Sequence, residues 1–326
     1  MNPDTLDWSA LERMRATFLR GATGGADYWQ SESDFASYDA TFAQRIGWKW
    51  DYVLAELSRR GWSPPAGALL DWGCGSGIAS RAFLDHFGSG SVSALQLWDR
   101  SSLAMQFAGR RAREKYPNLA VTTGTGAPPA LLLISHVLTE LTPTQREELV
   151  DLAAPAGSVI WVEPGTYEVS RSLIAIREQL RGRFNVIAPC THREQCGMLA
   201  PGNERHWCHH FAAPPPGVFT DGDWSRFANL LGIDLRDLPL SFLVLDQRPA
   251  PALPIGAARV IGHPRLYKAH ALLLGCDATG VRERRLTKRT LPAEFRSWKK
   301  GTGEVLPVWR CDGDEIVETR PANFPA

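Results

Sequence analysis

L-L-D-W-G-C-G-S-G, residues 69–77, decides how the chain is read. Glycines at 73, 75 and 77 directly follow a short apolar run and open a helical pattern. Without Cβ atoms they let the loop turn tightly and let a ligand approach its backbone. The next apolar run, residues 92–98, ends at an acid, Asp99, 28 positions after Asp71. A carboxylate there can accept hydrogen bonds from both hydroxyls of a ribose. A phosphate-binding dinucleotide loop is the competing reading, but its spacing is G-x-G-x-x-G. Here the third glycine comes one residue early, which favours a nucleoside.

Outward from this loop, short apolar runs alternate with helical patterns. Residues 68–70 precede the glycines and a helix to about residue 87, and residues 92–98 precede a helix from near Ser101. Residues 131–135 precede T-P-T-Q at 142–145, a capping box with proline at the first helical position. Residues 158–162 lead into a helix over about 169–181. Such alternation predicts an α/β, Rossmann-like domain with a parallel sheet covered on both faces, here residues 67–185. Before it, residues 1–66 read as a helical region. Ile46, Trp50, Val53 and Leu57 recur at three- and four-residue intervals after Phe42, and Pro64-Pro65 ends the run.

The glycine loop with Asp99 resembles the signature of class I S-adenosylmethionine methyltransferases, D/E-x-G-x-G-x-G followed by an acidic strand end. That resemblance implies that Asp71 and Gly73, Gly75 and Gly77 hold the methionine moiety and Asp99 the ribose. Two stretches depart from the pattern. The third strand ends in T-T-G-T at 122–125, with no acid for the adenine amine. The fourth ends in S-H-V-L at 135–138, not the (D/N)-P-P-(Y/F) of amino-methylating enzymes.

From Asn185 the character changes. Residues 186–220 are rich in Cys, His, Pro and Gly and have no helical period, so something other than a core must order them. Cys190, Cys196 and Cys208 fall within nineteen residues of the six-cysteine chain. That is not the spread of a disulfide framework and points to metal or redox chemistry. Zinc ribbons prefer C-x2–4-C, whereas four thiolates at irregular gaps suit a cubane iron–sulfur cluster. The fourth ligand is Cys276 or one of His192, His206, His209 and His210. A nucleophilic role for the Pro189-Cys190 dipeptide is a weaker reading, because Cys190 lies beyond the fifth strand. Unconnected buried cysteines would leave the loop without a reason to be ordered.

The segment 186–247 returns to the sheet, and a Pro/Ala-rich linker at 248–257 precedes a basic β module at 258–310 with a turn signal at D-A-T-G, 277–280. Residues 258–300 hold 11 Lys/Arg against 3 Asp/Glu, although the formal net charge of the chain is only +1. A basic module on an acidic body suggests a polyanionic partner, most simply RNA, with Arg282, Arg284, Arg285, Lys288 and Arg289 along a phosphate track. A solvated charged face is the plainer alternative.

At 326 residues, 44% of them apolar and 22% charged, the chain is a globular protein of one large or two unequal domains. It has no apolar run of about eighteen residues, and acids replace the basic flank of a leader. A soluble, cytoplasmic, monomeric protein without membrane contact is therefore expected.

Taken together, the motifs resemble the small-ribosomal-subunit methyltransferase-like family, whose mitochondrial members act in small-subunit assembly. The resemblance spans residues 38–300. It is carried by D-W-G-C-G-S-G, D-R-S-S-L-A-M at 99–105, S-H-V-L-T-E-L at 135–141 and V-E-P-G-T at 162–166. C-x-H-x3-C at 190–196, W-C-H at 207–209 and a late cysteine complete it. It implies S-adenosylmethionine as cofactor, rRNA of the small subunit as partner, and a [4Fe-4S] cluster on Cys190, Cys196, Cys208 and Cys276. The expected function is methyl transfer to rRNA or a ribosomal protein. A non-catalytic assembly factor is the alternative, and a zinc-stabilised small-molecule methyltransferase a weaker one. No general base is evident, although Glu140 and Glu163 fall where one could sit.

Overall fold

In the computed structural model, residues 6–20 and 29–322 are described. The rest of the expected helical region and of the acidic opening stretch lies outside them. The chain forms two compact units that interleave in sequence. Unit 1 comprises Met1–Glu56, Ser63–Pro164 and Phe211–Leu240, and unit 2 comprises Leu57–Trp62, Gly165–His210 and Ser241–Ala326.

Unit 1 begins with α1 (Trp8–Arg20), α2 (Glu32–Ala40) and α3 (Phe42–Arg59). Ala10, Leu11 and Met14 recur at helical spacing on α1 and are fully buried, which gives it one apolar stripe. Ser31 caps α2 by accepting from the Asp34 N–H. Trp29 stacks on Phe35 at 3.9 Å, and Phe35 in turn stacks on Phe107 at 5.4 Å. On α3, the expected positions Trp50, Val53 and Leu57 are all fully buried.

The sheet of unit 1 consists of β1 (Ala68–Trp72), β2 (Ala94–Trp98), β3 (Val121–Thr123), β4 (Leu131–Ser135) and β5 (Ser158–Pro164) in the order β3-β2-β1-β4-β5. Every neighbouring pair is parallel. Leu131 to Ile134 are all fully buried, as a central strand covered on both faces requires. Each such side chain contributes about 1.5–3 kcal/mol. The crossovers are α4 (Ile78–Phe87), α5 (Ser102–Lys115) and α6 (Pro143–Ala153). The expected capping box is present on α6: Thr142 Oγ1 accepts from the Gln145 N–H, and Gln145 reaches back to the Thr142 N–H. This strand order is that of a Rossmann-like α/β fold.

In unit 2, α7 (Tyr167–Leu180) leads to β6 (Asn185–Ala188). The chain then runs through β7 (His210–Ala212) and, in unit 1, α8 (Gly222–Leu231), before β8 (Leu238–Asp246) pairs antiparallel with β6. The expected β module is a five-stranded sheet. Its strands are β9 (Arg259–Leu266), β10 (His270–Asp277), β11 (Gly280–Thr287), β12 (Pro307–Asp312) and β13 (Glu315–Pro321), ordered β12-β13-β11-β10-β9. D-A-T-G forms the β10–β11 turn, where Asp277 Oδ1 accepts from the Thr279 N–H at 2.8 Å. Helix α9 (Pro292–Lys299) buries Phe295 with Val260, Leu273, Leu286 and Ile316. Among the described residues, no helix is long and apolar enough to cross a membrane.

Candidate functional site

In unit 1 the glycine loop closes over the ends of β1 and β2. The N–H groups of Gly73 and Cys74 both donate to the Trp98 carbonyl, at 2.8 and 3.0 Å. Gly75 has φ 50°, and a Cβ built there would meet nothing within 4 Å. The loop thus exposes bare backbone on one side, as a ligand cradle requires. Asp99 stands beside it, its Oδ2 accepting from the Gly75 N–H and its Oδ1 from the Ser101 N–H, each at 2.9 Å. A carboxylate has about four acceptor sites, so ribose hydroxyls can share these oxygens.

Asp71 lies fully buried under the loop. Its Oδ2 accepts from the Ser80 N–H at 3.2 Å, whereas its buried Oδ1 has no hydrogen-bond partner. Burial raises its pKa to about 7, against the hydrogen bonds from Ser80. An orphaned buried acceptor and an open glycine face fit a nucleoside ligand with a polar tail.

The carboxyl end of β4 borders this loop, since a Cβ on Gly73 would lie 2.7 Å from Val137 Cγ1. The two expected candidate bases diverge here. Glu163 is fully buried and accepts from Trp161 Nε1 at 2.8 Å and from the Val137 and Leu138 N–H groups at 3.1 and 3.3 Å. Its carboxyl holds the turn after β4, and burial raises its pKa to about 7. Glu140 lies 3.5 Å from Arg100. Sequence reasoning missed Lys49, whose Nζ lies 3.2 Å from His136 Nε2.

In unit 2, Cys276 from β10 lies near Cys190, Cys196 and Cys208 of the 190–208 segment. None is in a disulfide. Cys196 and Cys276 are buried in one cluster, with Cys208 packed against it. The thiol of Cys276 is raised well above its ordinary value by burial and by the neighbouring Cys190, Cys208 and Cys196. Burial with Cys190 nearby also pushes Cys196 up to about 11. Only as thiolates would they repel one another and call for a shared cation.

Three arginines order the loop. Arg60 is fully buried and donates to the carbonyls of Ile187, Pro189 and Cys190 at 2.7, 2.8 and 2.9 Å. Arg177 donates to the carbonyls of His192 and Glu194 at 3.2 and 2.9 Å and pairs with Glu178. Buried Arg259 lies 3.2 Å from His210 Nδ1. Hydroxyls of Ser170 and Ser241 donate to the Cys208 carbonyl at 2.9 and 3.0 Å.

Of the alternative ligands, His192 Nε2 lies 3.6 Å from Cys276 Sγ and His210 Nε2 3.6 Å from Cys208 Sγ. His206 contacts Arg205 and His209 contacts the Trp207 carbonyl. Among the described residues, no three His, Cys, Asp or Glu side chains converge closely enough to hold a single metal ion.

The basic stretch divides by burial. Arg282, Arg285, Lys288 and Arg289 are exposed. Arg284 is buried, donating to the Gly313 carbonyl at 3.0 Å, and so is withdrawn from the expected phosphate track. Its neighbour Arg285 points to the opposite face because side chains alternate along a strand.

The family model described as mitochondrial small ribosomal subunit Rsm22 matches residues 62–307. No sequence among curated proteins matches the chain. Among solved structures, the chain is similar to magnesium protoporphyrin IX methyltransferase from Synechocystis with bound SAM, at 16% identity and TM-score 0.37, covering 74% of this chain and 96% of that one. It is also similar to a plantazolicin methyltransferase bound to a substrate analogue and SAH, at 12% identity and TM-score 0.39, covering 74% and 97%. A precorrin 8w decarboxylase from Methanobacterium thermoautotrophicum matches at 12% identity and TM-score 0.35, covering 60% and 89%. At these scores the fold assignment rests on strand order.

Proposed function

The chain belongs to the Rsm22 family of the mitochondrial small ribosomal subunit, and from that premise we propose that it is an S-adenosylmethionine-dependent methyltransferase of the small subunit that binds rRNA and carries a [4Fe-4S] cluster. Asp71, Gly73, Gly75, Gly77 and Asp99 would hold S-adenosylmethionine, which supplies an electrophilic methyl group. Cys190, Cys196, Cys208 and Cys276 would hold the cluster, which ties their segments together by four iron–thiolate bonds. Arg282, Arg285, Lys288 and Arg289 would face phosphates, and the chain would act as a monomer.

The observation that carries this reading is the nearness of Cys276 to the three cysteines of the 190–208 segment, none of them in a disulfide, in a ribosomal-family chain. One observation favours a second reading, a binding-only assembly factor: the carboxyl of Glu163 is taken up by Trp161 and two loop amides. The test is crosslinking of RNA in cells, with the sites mapped. Small-subunit rRNA should dominate the crosslinks, and a spread over unrelated RNAs would contradict the reading.

A further inference from the structure

At the carboxyl end of β4, an indole, a hydroxyl, an imidazole and an amine form one line. Trp50 Nε1 donates to Ser135 Oγ at 2.9 Å, Ser135 Oγ lies 3.2 Å from His136 Nδ1, and His136 Nε2 lies 3.2 Å from Lys49 Nζ. The line costs backbone strain. Among the described residues, His136 is the one non-glycine residue with left-handed φ, 58°, a conformation that costs about 1–2 kcal/mol. Such strain persists where surrounding contacts fix it, here the Glu163 carboxyl binding the next two amides. Lys49 and His136 are both half-buried, so a ligand can reach them. His136 directly precedes Val137, whose Cγ1 a Cβ on Gly73 would approach to 2.7 Å, so the turn that carries His136 borders the glycine loop.

We propose that Lys49 and His136 are the proton-accepting pair of the methyl-transfer site, serving a nitrogen or oxygen of an rRNA nucleotide that loses its proton as it is methylated. The proposal rests on the S-adenosylmethionine reading above. The acceptor's lone pair bonds to the methyl carbon while the carbon–sulfur bond breaks and its electron pair stays on sulfur. The acceptor's proton passes to Lys49 Nζ, and the resulting ammonium donates to His136 Nε2. His136 Nδ1–H donates to Ser135 Oγ, which also accepts from Trp50. His136 is therefore a positioning residue. An RNA acceptor is favoured over a protein one by the exposed cations Arg282, Arg285, Lys288 and Arg289.

The surroundings suit this role. Burial and the nearby Arg45 guanidinium bring Lys49 down to about 7, with the Glu163 carboxyl acting in the opposite direction. Burial, Lys49 and Arg45 hold His136 well below its ordinary value. A neutral amine beside a neutral imidazole is thus available near neutrality, where a general base works best.

The test labels the six lysines of the full chain competitively with acetic anhydride from about pH 5 to about pH 10, each read by mass spectrometry. Lys49 should reach half-maximal labelling near pH 7. His136→Ala should lower that midpoint by about one unit, because the ammonium loses its acceptor. In parallel, labelled methyl groups are followed from S-adenosylmethionine into small subunits from cells lacking the protein. Lys49→Met should slow transfer to RNA about 100-fold and leave S-adenosylmethionine affinity, read by calorimetry, unchanged. A Lys49 midpoint near about 10, undiminished transfer in Lys49→Met, label in a ribosomal protein, or binding without any transfer would each overturn the pair. If wild type binds no S-adenosylmethionine, the nucleoside reading falls and the pair's role with it.

Discussion

Gly197 lies flat against Val281: a Cβ on Gly197 would come 2.6 Å from the Val281 backbone nitrogen. Val281 pairs in register with Cys276 across the β10–β11 hairpin, and Cys196 immediately precedes Gly197. Two cysteines 80 positions apart in sequence are thus set together by one residue without a side chain. Gly197→Ala should cost about 1–3 kcal/mol by overpacking, read as a lower urea midpoint, and should weaken any iron retention. An unchanged midpoint and iron content would show that this close approach does not position Cys196.

Asp99→Ala should weaken S-adenosylmethionine about 10- to 100-fold, the worth of a charge-assisted pair of ribose hydrogen bonds. Asp99→Asn, which keeps one acceptor oxygen, should lose less. Equal affinity in all three proteins by calorimetry would remove Asp99 from the site.

Glu163 gives the fold a pH signature. Its folded pKa, about 7, is raised above the ordinary carboxyl value. Stability from its protonated form is therefore fully present below the unfolded pKa, about 4.3, and is lost as pH rises through about 7. The loss is at most about 4 kcal/mol. In urea titrations at several pH values, Glu163→Gln should flatten this decline. The same slope in wild type and variant would mean that Glu163 is not the group responsible.

RNA affinity should fall steeply with salt, because each neutralised phosphate releases counterions. Replacing Arg282, Arg285, Lys288 and Arg289 by Ala should reduce the slope by roughly one for each phosphate no longer neutralised. Arg284→Ala should leave the slope unchanged and lower stability instead, since it is buried against the Gly313 carbonyl. A slope that responds to Arg284 alone would reverse this division.

Local pattern makes the Rossmann-like half of the chain legible. The glycines after residues 69–72, Asp99 at the end of β2 and the Thr142 capping box depend on neighbours within a few residues, and all stand where the pattern puts them. Arg284 does not follow from charge counting, because it packs inward on the Gly313 carbonyl while Arg282 and Arg285 on either side stay exposed. The line from Lys49 to His136 is out of reach of sequence, since the two are 87 positions apart and meet only once α3 packs at the end of β4. Arg60 is hidden likewise: its carbonyl partners lie more than a hundred residues on and carry no side-chain signal. Sequence reading stops the β module at residue 310, whereas β13 continues to Pro321.

Iron and acid-labile sulfide, counted in protein purified without oxygen, test the central claim most directly. Thiols of the 190–208 segment and of β10 share one neighbourhood in unit 2, and a ligand set assembled only on folding would turn cluster binding into folding energy. The wild-type chain should be brown and hold about four iron and four sulfide. Cys276→Ser should lose both, while Cys74→Ser and Cys311→Ser should keep them. A colourless preparation with one zinc per chain, or full iron content in Cys276→Ser, would contradict the account.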